Sequence, residues 1–265
     1  MRRPPMSGTD VLYEITDGVG CITLNRPDKF NCISTGLMDG VDAAMDAFEA
    51  DDNVRVVLLT GAGKTFCTGA DLDEVMAARQ DRPALAKFIS HIHSMLRRFE
   101  ASPLPVVVAV NGLALAGGIE IMMACDVAFA GRDKAKIGDQ HAQYGLIPGG
   151  GGTQRLPRLV GLRRALDLMF TNRWLDAGEA ETWGLVNYVV DDDDLAEESL
   201  AYCRNLAQKS RAGLAAMKQW SRQGLEGTLD AGLTMEEDLV IDGLLGPDVE
   251  EGLAAFQARR APNFS

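Results

Sequence analysis

The chain has 265 residues, 46% of them apolar, which is enough to bury the core of one large α/β domain, alone or with a small appendage. Its 38 acidic residues outnumber the 26 basic ones, and the net charge of −12 argues against general binding of nucleic acid or of an anionic membrane. Five cysteines without a CxxC pair argue against a disulfide framework or a zinc site and favour a cytoplasmic location.

Neither a secretory signal nor a membrane span is expected. Residues 1–8 contain two arginines but no apolar stretch of the kind that a secretory signal needs. No apolar run reaches the roughly 18 residues that a membrane-spanning helix requires. These observations favour a protein that works without inserting into a membrane.

The first half of the sequence switches between the two periodicities of regular structure. Alternating apolar residues predict a strand with one face exposed to solvent, and a short continuous apolar run predicts a strand buried in a parallel sheet. Apolar residues three or four apart predict a helix. The predicted elements are a hairpin over 11–27 that turns at Asp17-Gly18, a helix capped by Ser34, a strand over 54–61 and a helix over 84–100.

The centre of the chain repeats this alternation, and the last hundred residues are mostly helical. Repeated strand-to-helix order implies βαβ units and a parallel sheet. A shift in composition at 190–200 suggests that a core rich in strands ends there. The predicted elements are a strand over 105–112, a helix over 117–126, a strand over 127–130 and helices over 159–170, 194–210 and 213–227.

Two stretches, 58–75 and 108–126, share the order of buried strand, glycine-rich turn and helix. Glycine lets a ligand approach the backbone closely, and the start of a helix leaves N–H groups without partners inside the helix. Two such N–H groups aimed at one point would bind a carbonyl oxygen that becomes negative during a reaction. The residues alone leave open the alternative of two tight turns that need glycine for packing.

Several polar residues could take part in chemistry. Glu120, in the first turn of an apolar helix, is either a partner of the helix dipole or a buried acid/base. His141 precedes the glycine run 149–152 and is either a hydrogen-bonded structural residue or a catalytic one. The glycine run lacks the GxxxxGK[ST] form of a phosphate loop. His91 and His93 lie off the apolar face of their predicted helix and are interpreted as structural.

Six motifs, in the same order along the chain, resemble the crotonase family, also called the enoyl-CoA hydratase/isomerase superfamily. The motifs are LNRPDKFNCIS (24–34), VVLLTGAGKTFCTGADL (56–72), AVNGLALAGGIEIMMACD (109–126), GLIPGGGGTQRLPRLVG (145–161), WGLV (183–186) and EEGLAAFQARRAPNF (250–264). The resemblance implies an α/β fold with a crotonase-like spiral of ββα units over 1–195 and a helical C-terminal trimerisation region over 196–265.

The same resemblance implies an acyl-CoA thioester as substrate and a homo-oligomer, either a trimer or a hexamer. It implies no metal and no separate cofactor, since CoA is part of the substrate. Carried over by position, the backbone N–H groups of Ala70 and Gly117 would form an oxyanion hole. Ala70, Asp71 and Leu72 would line the acyl-CoA channel, and Glu120 falls on the first catalytic glutamate of the hydratases.

The sequence departs from the family pattern at the second catalytic glutamate, whose position is taken by His141. Asp139, two residues earlier, is a minor candidate that would point the same way if the segment were extended. Thr68 replaces a common alanine, and Asp73 stands where a lysine near the CoA phosphates is common. The candidates for pairing with those phosphates are Lys29, Lys64, Arg259 and Arg260.

These observations predict an enoyl-CoA hydratase that uses Glu120 and His141 to add water to a trans-2-enoyl-CoA. The alternative is an enoyl-CoA isomerase, because moving a double bond needs only one base and Glu120 would suffice. Hydrolase or dehalogenase chemistry is less favoured, since no Ser-His-Asp triad can be assembled from the motifs. A non-catalytic or RNA-binding homologue is disfavoured by the net charge of −12 and by the retained Glu120.

Overall fold

A computed structural model of the protein describes residues 6–8 and 10–264. In this part of the chain there are two β-sheets with helices packed around them. Numbered in chain order, the strands are β1 (Met6–Gly8), β2 (Val11–Thr16), β3 (Val19–Leu24), β4 (Val56–Gly61), β5 (Thr65–Cys67), β6 (Val106–Val110), β7 (Leu113–Leu115), β8 (Val127–Gly131), β9 (Lys136–Gly138), β10 (Trp174–Asp176) and β11 (Tyr188–Val190).

Helices occupy most of the remaining described residues. They flank the sheets in the first two thirds of the chain and follow one another after β11. They are α1 (Thr35–Glu49), α2 (Leu72–Ala78), α3 (Arg82–Ala101), α4 (Gly117–Ala124), α5 (Gly152–Val160), α6 (Leu162–Thr171), α7 (Ala177–Trp183), α8 (Leu195–Leu206), α9 (Arg211–Gly224), α10 (Leu229–Leu244) and α11 (Pro247–Ala258). None of them, within residues 6–8 and 10–264, is long and apolar enough to cross a membrane.

The two sheets are built by a repeating ββα unit. The larger sheet has the order β1-β2-β3-β4-β6-β8-β11, and the smaller has the order β10-β9-β7-β5. Strands β4, β6 and β8 are parallel neighbours in the larger sheet, and β5, β7 and β9 are parallel neighbours in the smaller one. Each repeat of the spiral therefore adds one strand to each sheet, and a helix then leads the chain back to the larger sheet. The α/β spiral with a helical C-terminal part is confirmed.

The chain passes from one sheet to the other at Asn111-Gly112. The predicted strand over 105–112 ends at Val110, and β7 begins in the other sheet at Leu113. A side chain at Gly112 is excluded, because its Cβ would lie 2.0 Å from the Lys64 carbonyl oxygen. Asn111 secures the crossing by donating from Nδ2 to the Gly63 carbonyl at 3.0 Å. The requirement for glycine here comes from close backbone approach between two turns of the spiral.

Most other predicted elements are confirmed, with one break. The hairpin forms as β2 and β3, and Ser34 caps α1 by accepting a hydrogen bond from Leu37 N at 3.0 Å. The single helix predicted over 159–170 is wrong, because α5 ends and α6 begins at Gly161, where φ is +81°. A positive φ of this kind interrupts the helix and suits glycine, which has no Cβ.

The apolar faces of α1 and α3 form part of the core, where α1 packs against β2 and β3 and α3 packs against α1. Their fully buried side chains recur three or four residues apart, as the sequence pattern predicts. The largest of them include Leu37, Met45, Phe48, Met95 and Phe99. This packing fixes α3 behind the segment that carries Glu120, since α3 and α4 are in direct contact.

Candidate active site

Glu120 lies in the first turn of α4, where every residue of the helix is buried. Its exposed fraction is 2%. The chain enters this helix through Ala116, whose φ of +50° is unusual for a residue with a Cβ. A carboxyl group buried in so apolar a helix loses its contacts with water and requires hydrogen bonds from nearby groups.

The glycine run supplies those hydrogen bonds. The N–H groups of Gly150 and Gly152 both donate to Glu120 Oε1, at 2.8 and 2.7 Å. Gly152 is also the first residue of α5, so the carboxylate lies at the positive end of that helix. No hydrogen bond from the described residues reaches Oε2, so this oxygen is not committed to the glycine run. The glycine run therefore serves as a backbone cradle for Glu120.

An ion pair on neighbouring helices fixes the glycine run. Arg155 of α5 donates from Nη1 to the Gly150 carbonyl at 2.7 Å. The same guanidinium binds Glu100 of α3 through two hydrogen bonds of 2.7 Å. Such a two-point contact holds the guanidinium in one orientation, and with it the Gly150 peptide. The role of Arg155 could not be predicted from the sequence, since the pattern of α5 does not reveal what its polar face binds.

Burial has the largest effect on the Glu120 carboxyl group and raises its pKa above the usual value. The hydrogen bonds from Gly152 and Gly150, together with a protonated His141, favour the charged form and offset only part of the burial. A raised pKa brings the carboxyl group closer to the pH at which it can both take up and release a proton.

His141 lies in the turn after β9, beside Asp139. Its Nδ1 is 3.0 Å from Asp139 Oδ1, and the same oxygen accepts the backbone N–H of His141 at 3.0 Å. Burial opposes a charge on the ring, but the hydrogen bond and charge of Asp139, with the charge of Glu120, outweigh it and raise the pKa of His141. The structure thus brings Glu120 and His141 close enough for their charges to interact. The segment after β9 forms a turn and is not extended, so Asp139 contacts His141 directly instead of lying parallel to it.

The turns that carry Ala70 and Gly117 lie side by side. Gly117 packs so closely on the preceding turn that a Cβ on it would lie 3.1 Å from Gly69 Cα. Ile33 bonds to the residues on either side of Ala70, accepting from Asp71 N at 2.8 Å and donating to the Gly69 carbonyl at 2.7 Å. The Ala70 N–H therefore points away from Ile33, and it donates to none of the described residues.

Asp71 and Leu72 follow Ala70 directly, and their side chains differ in burial. Asp71 is buried, caps α2 through the N–H groups of Asp73 and Glu74, and accepts from Arg26 Nη2 at 2.9 Å. Burial opposes its charge, but Arg26 and the cap hold the pKa of Asp71 below its usual value. Leu72 is 60% exposed. The Asp71 carboxylate therefore anchors the loop, while Leu72 offers an apolar surface beside it.

The four basic candidates for phosphate contacts lie in different segments of the chain. Lys29 lies 3.4 Å from Asp73 in an exposed pair, and Arg260 forms a two-point contact with Glu251 in the C-terminal segment. Lys64 and Arg259 are exposed in separate regions, the β4–β5 turn and the end of α11. The assignment of a phosphate partner stays a prediction for all four.

A buried glutamate held by a glycine run, on a two-sheet ββα spiral, is typical of the crotonase class of proteins. The chain belongs to the enoyl-CoA hydratase/isomerase family, whose family model matches residues 14–265. The membership confirms the resemblance found in the sequence and makes the chain an enzyme of this family.

Individual relatives support the assignment. A probable enoyl-CoA hydratase of Rhizobium meliloti is 39% identical over 262 residues, covering 98% of this chain and 99% of the relative. A 1,2-epoxyphenylacetyl-CoA isomerase of Escherichia coli is 35% identical, covering 96% and 97%. The crystal structure of an enoyl-CoA hydratase from Bacillus anthracis superposes with a TM-score of 0.91 at 35% identity, covering 96% of this chain and 98% of that chain.

Proposed function

We propose that the protein adds water across the conjugated double bond of a trans-2-enoyl-CoA and forms a 3-hydroxyacyl-CoA. The observation that carries the proposal is the state of Glu120, a buried carboxyl with one oxygen fixed by two N–H groups and the other free. The charge of His141 acts on it from one side. Relatives named as probable enoyl-CoA hydratases support the same reaction.

The backbone N–H groups of Ala70 and Gly117 would hold the thioester oxygen of the substrate. Their adjacency and the uncommitted Ala70 N–H support this role. Negative charge builds on that oxygen when water adds to the β-carbon, and preorganised donors stabilise it without having to reorient. The backbone of Ala70 and Asp71 and the side chain of Leu72 would line the acyl-CoA channel, with the Arg26 ion pair keeping the loop in place.

Two proton transfers complete the reaction. Glu120, as carboxylate, takes a proton from water, and the water oxygen forms a bond to the β-carbon. The imidazolium of His141 gives its Nε2 proton to the α-carbon, so that the product gains one water and no charge. Opposite charges on neighbouring groups favour this ionised pair. Both transfers use residues of the chain, and the proposal needs no cofactor beyond the CoA portion of the substrate.

Ultraviolet absorbance tests the proposal directly, because hydration removes the conjugation of an enoyl thioester. We expect the purified protein to decrease this absorbance on at least one member of a panel of enoyl-CoAs of different chain length. The product is expected to be heavier by one water. Unchanged absorbance across the panel would contradict the hydratase proposal.

The second candidate is an enoyl-CoA isomerase that uses Glu120 as its single base. It is favoured by the unusual His141 and by a relative named 1,2-epoxyphenylacetyl-CoA isomerase. An isomerase product has the mass of the substrate, and His141→Ala would retain most of the activity. A product heavier by one water, together with loss of activity in His141→Ala, decides for hydration.

We also propose that the protein is a homo-oligomer, a trimer or a hexamer, assembled through its C-terminal region over 196–265. Large apolar side chains of this region are solvent-exposed in the single chain: Leu225 is 87% exposed, Leu245 81% and Phe256 83%. Apolar surface of this kind marks a contact with another protein. Light scattering is expected to give the mass of three or six chains, and a monomer at micromolar concentration would contradict this assembly.

A further inference from the structure

We propose that Asp139 is a positioning residue for His141: its carboxylate holds the Nδ1–H group, so that Nε2 is the ring nitrogen that gives and regains the proton. The catalytic part of this proposal rests on the hydratase function proposed above. The positioning part rests on the geometry of the two side chains, which are joined by a 3.0 Å contact between Nδ1 and Oδ1.

Both hydrogen bonds to the Asp139 carboxylate come from His141. The backbone N–H and the ring Nδ1 of His141 meet the same oxygen, Oδ1, each at 3.0 Å. The Asp139 side chain is 1% exposed, and its Oδ2 is buried without a hydrogen-bond partner among the described residues. Burying a carboxylate is unfavourable unless hydrogen bonds compensate. Among the described residues, the hydrogen bonds that compensate this carboxylate come only from His141.

The contact selects one tautomer of the ring. An ionised carboxylate can accept hydrogen bonds but cannot donate them, so Nδ1 must carry the proton. In the neutral ring, Nε2 is then unprotonated and free to exchange a proton with the substrate. The backbone hydrogen bond closes a tight turn between residues 139 and 141 and keeps the carboxylate beside the ring.

Two charged groups act on the His141 ring, Asp139 at the end of β9 and Glu120 of α4. Both are negative when ionised, and both favour the imidazolium. Asp139 therefore has a second effect, since it keeps His141 protonated while Glu120 is ionised.

Nitrogen-15 NMR of labelled histidine tests the positioning without any substrate. The chain has only three histidines, so the spectrum of His141→Gln identifies the signal of His141. In the wild type at alkaline pH, we expect the neutral ring to carry its proton on Nδ1. A proton on Nε2 would overturn the proposal.

The matched variants are Asp139→Asn, which keeps the shape and removes the charge, and Asp42→Asn. Asp42 lies 3.1 Å from the Nε2 atom of His91, so the second variant removes a carboxylate that faces a different histidine. In Asp139→Asn we expect His141 to lose its proton at a lower pH, and the alkaline limb of kcat/KM to move the same way. In Asp42→Asn neither changes.

We expect kcat of Asp139→Asn to fall about ten- to a hundredfold at neutral pH with KM unchanged, the loss typical of residues that orient a functional histidine. An unchanged alkaline limb and unchanged His141 titration would overturn the positioning role. A wild type that shows the Nδ1 proton but hydrates no enoyl-CoA would refute the hydratase function and leave the positioning role supported. The two failures are thus distinguishable.

Discussion

The two reacting side chains of the proposed mechanism are held in opposite ways. Glu120 is fixed by backbone N–H groups from a segment 30 residues further along the chain, and His141 is fixed by the side chain of a residue two positions away. The backbone donors are available for any sequence that keeps glycine at 150 and 152. The partner of His141 exists only because residue 139 is aspartate. Glu120 therefore depends on backbone groups that the fold brings to it, while His141 depends on the identity of one neighbouring side chain.

The largest expected effect comes from Glu120→Gln. The amide oxygen can still accept from Gly150 and Gly152, so the cradle survives while the base is lost. We expect kcat for hydration to fall about a thousandfold, within the range for removal of a general base. The measurement is the decrease in enoyl-CoA absorbance, with circular dichroism as the control for folding. A folded variant that retains activity would remove Glu120 from the mechanism.

The cradle can be disrupted without substituting Glu120 itself. In Gly150→Ala, the new Cβ would lie 2.6 Å from Glu120 Oε2 and 3.1 Å from Leu96 Cδ1, so the carboxylate must move. We expect kcat to fall about a hundredfold, since misplacement of a reacting group by about 1 Å has that effect. Gly149→Ala is the matched control, because its Cβ would meet Ile89 Cδ1 at 3.6 Å and the Ile147 carbonyl oxygen at 3.9 Å, both ordinary van der Waals contacts. Equal activity of the two variants would contradict the cradle.

A smaller effect is expected from Arg155→Lys. Lysine keeps the charge but cannot bind Glu100 at two points while holding the Gly150 carbonyl. We expect about a tenfold loss in kcat with little change in KM, since the peptide of Gly150 becomes less well fixed. Steady-state kinetics over a range of enoyl-CoA concentrations measure both constants. A change in KM alone would assign Arg155 to substrate binding.

The sequence predicted those features of the candidate site that depend on one continuous segment and not on contacts between distant residues. Glu120 was singled out because a carboxylate in the first turn of an apolar helix is unusual, and its acid/base role was predicted from the resemblance to the crotonase family. The cradle could not be predicted, since periodicity does not reveal that residues 120 and 150 meet. The smaller sheet was missed for a related reason, because its strands have three residues each and show no period. The spacing of Asp139 and His141 was noticed, but the turn that joins them was not.

The smallest expected effect is that of Glu120→Gln on thermal stability, and the direction of its pH dependence follows from the pKa of Glu120. Because burial raises the pKa of Glu120 in the folded protein, the unfolded chain releases this proton at lower pH than the folded one. Stability due to this group therefore decreases as pH rises through the range between the two values. Glu120→Gln keeps the hydrogen bonds without the buried charge, so we expect its thermal midpoint to exceed that of the wild type by a few degrees at pH 8. The difference should vanish towards pH 3, below the ordinary pKa of glutamate, where the carboxyl group is protonated in both states. Calorimetry at the two pH values measures the difference in thermal midpoint. A variant less stable than the wild type at pH 8 would contradict this prediction. It would mean that the hydrogen bonds from Gly150 and Gly152 stabilise the ionised carboxylate more than burial destabilises it.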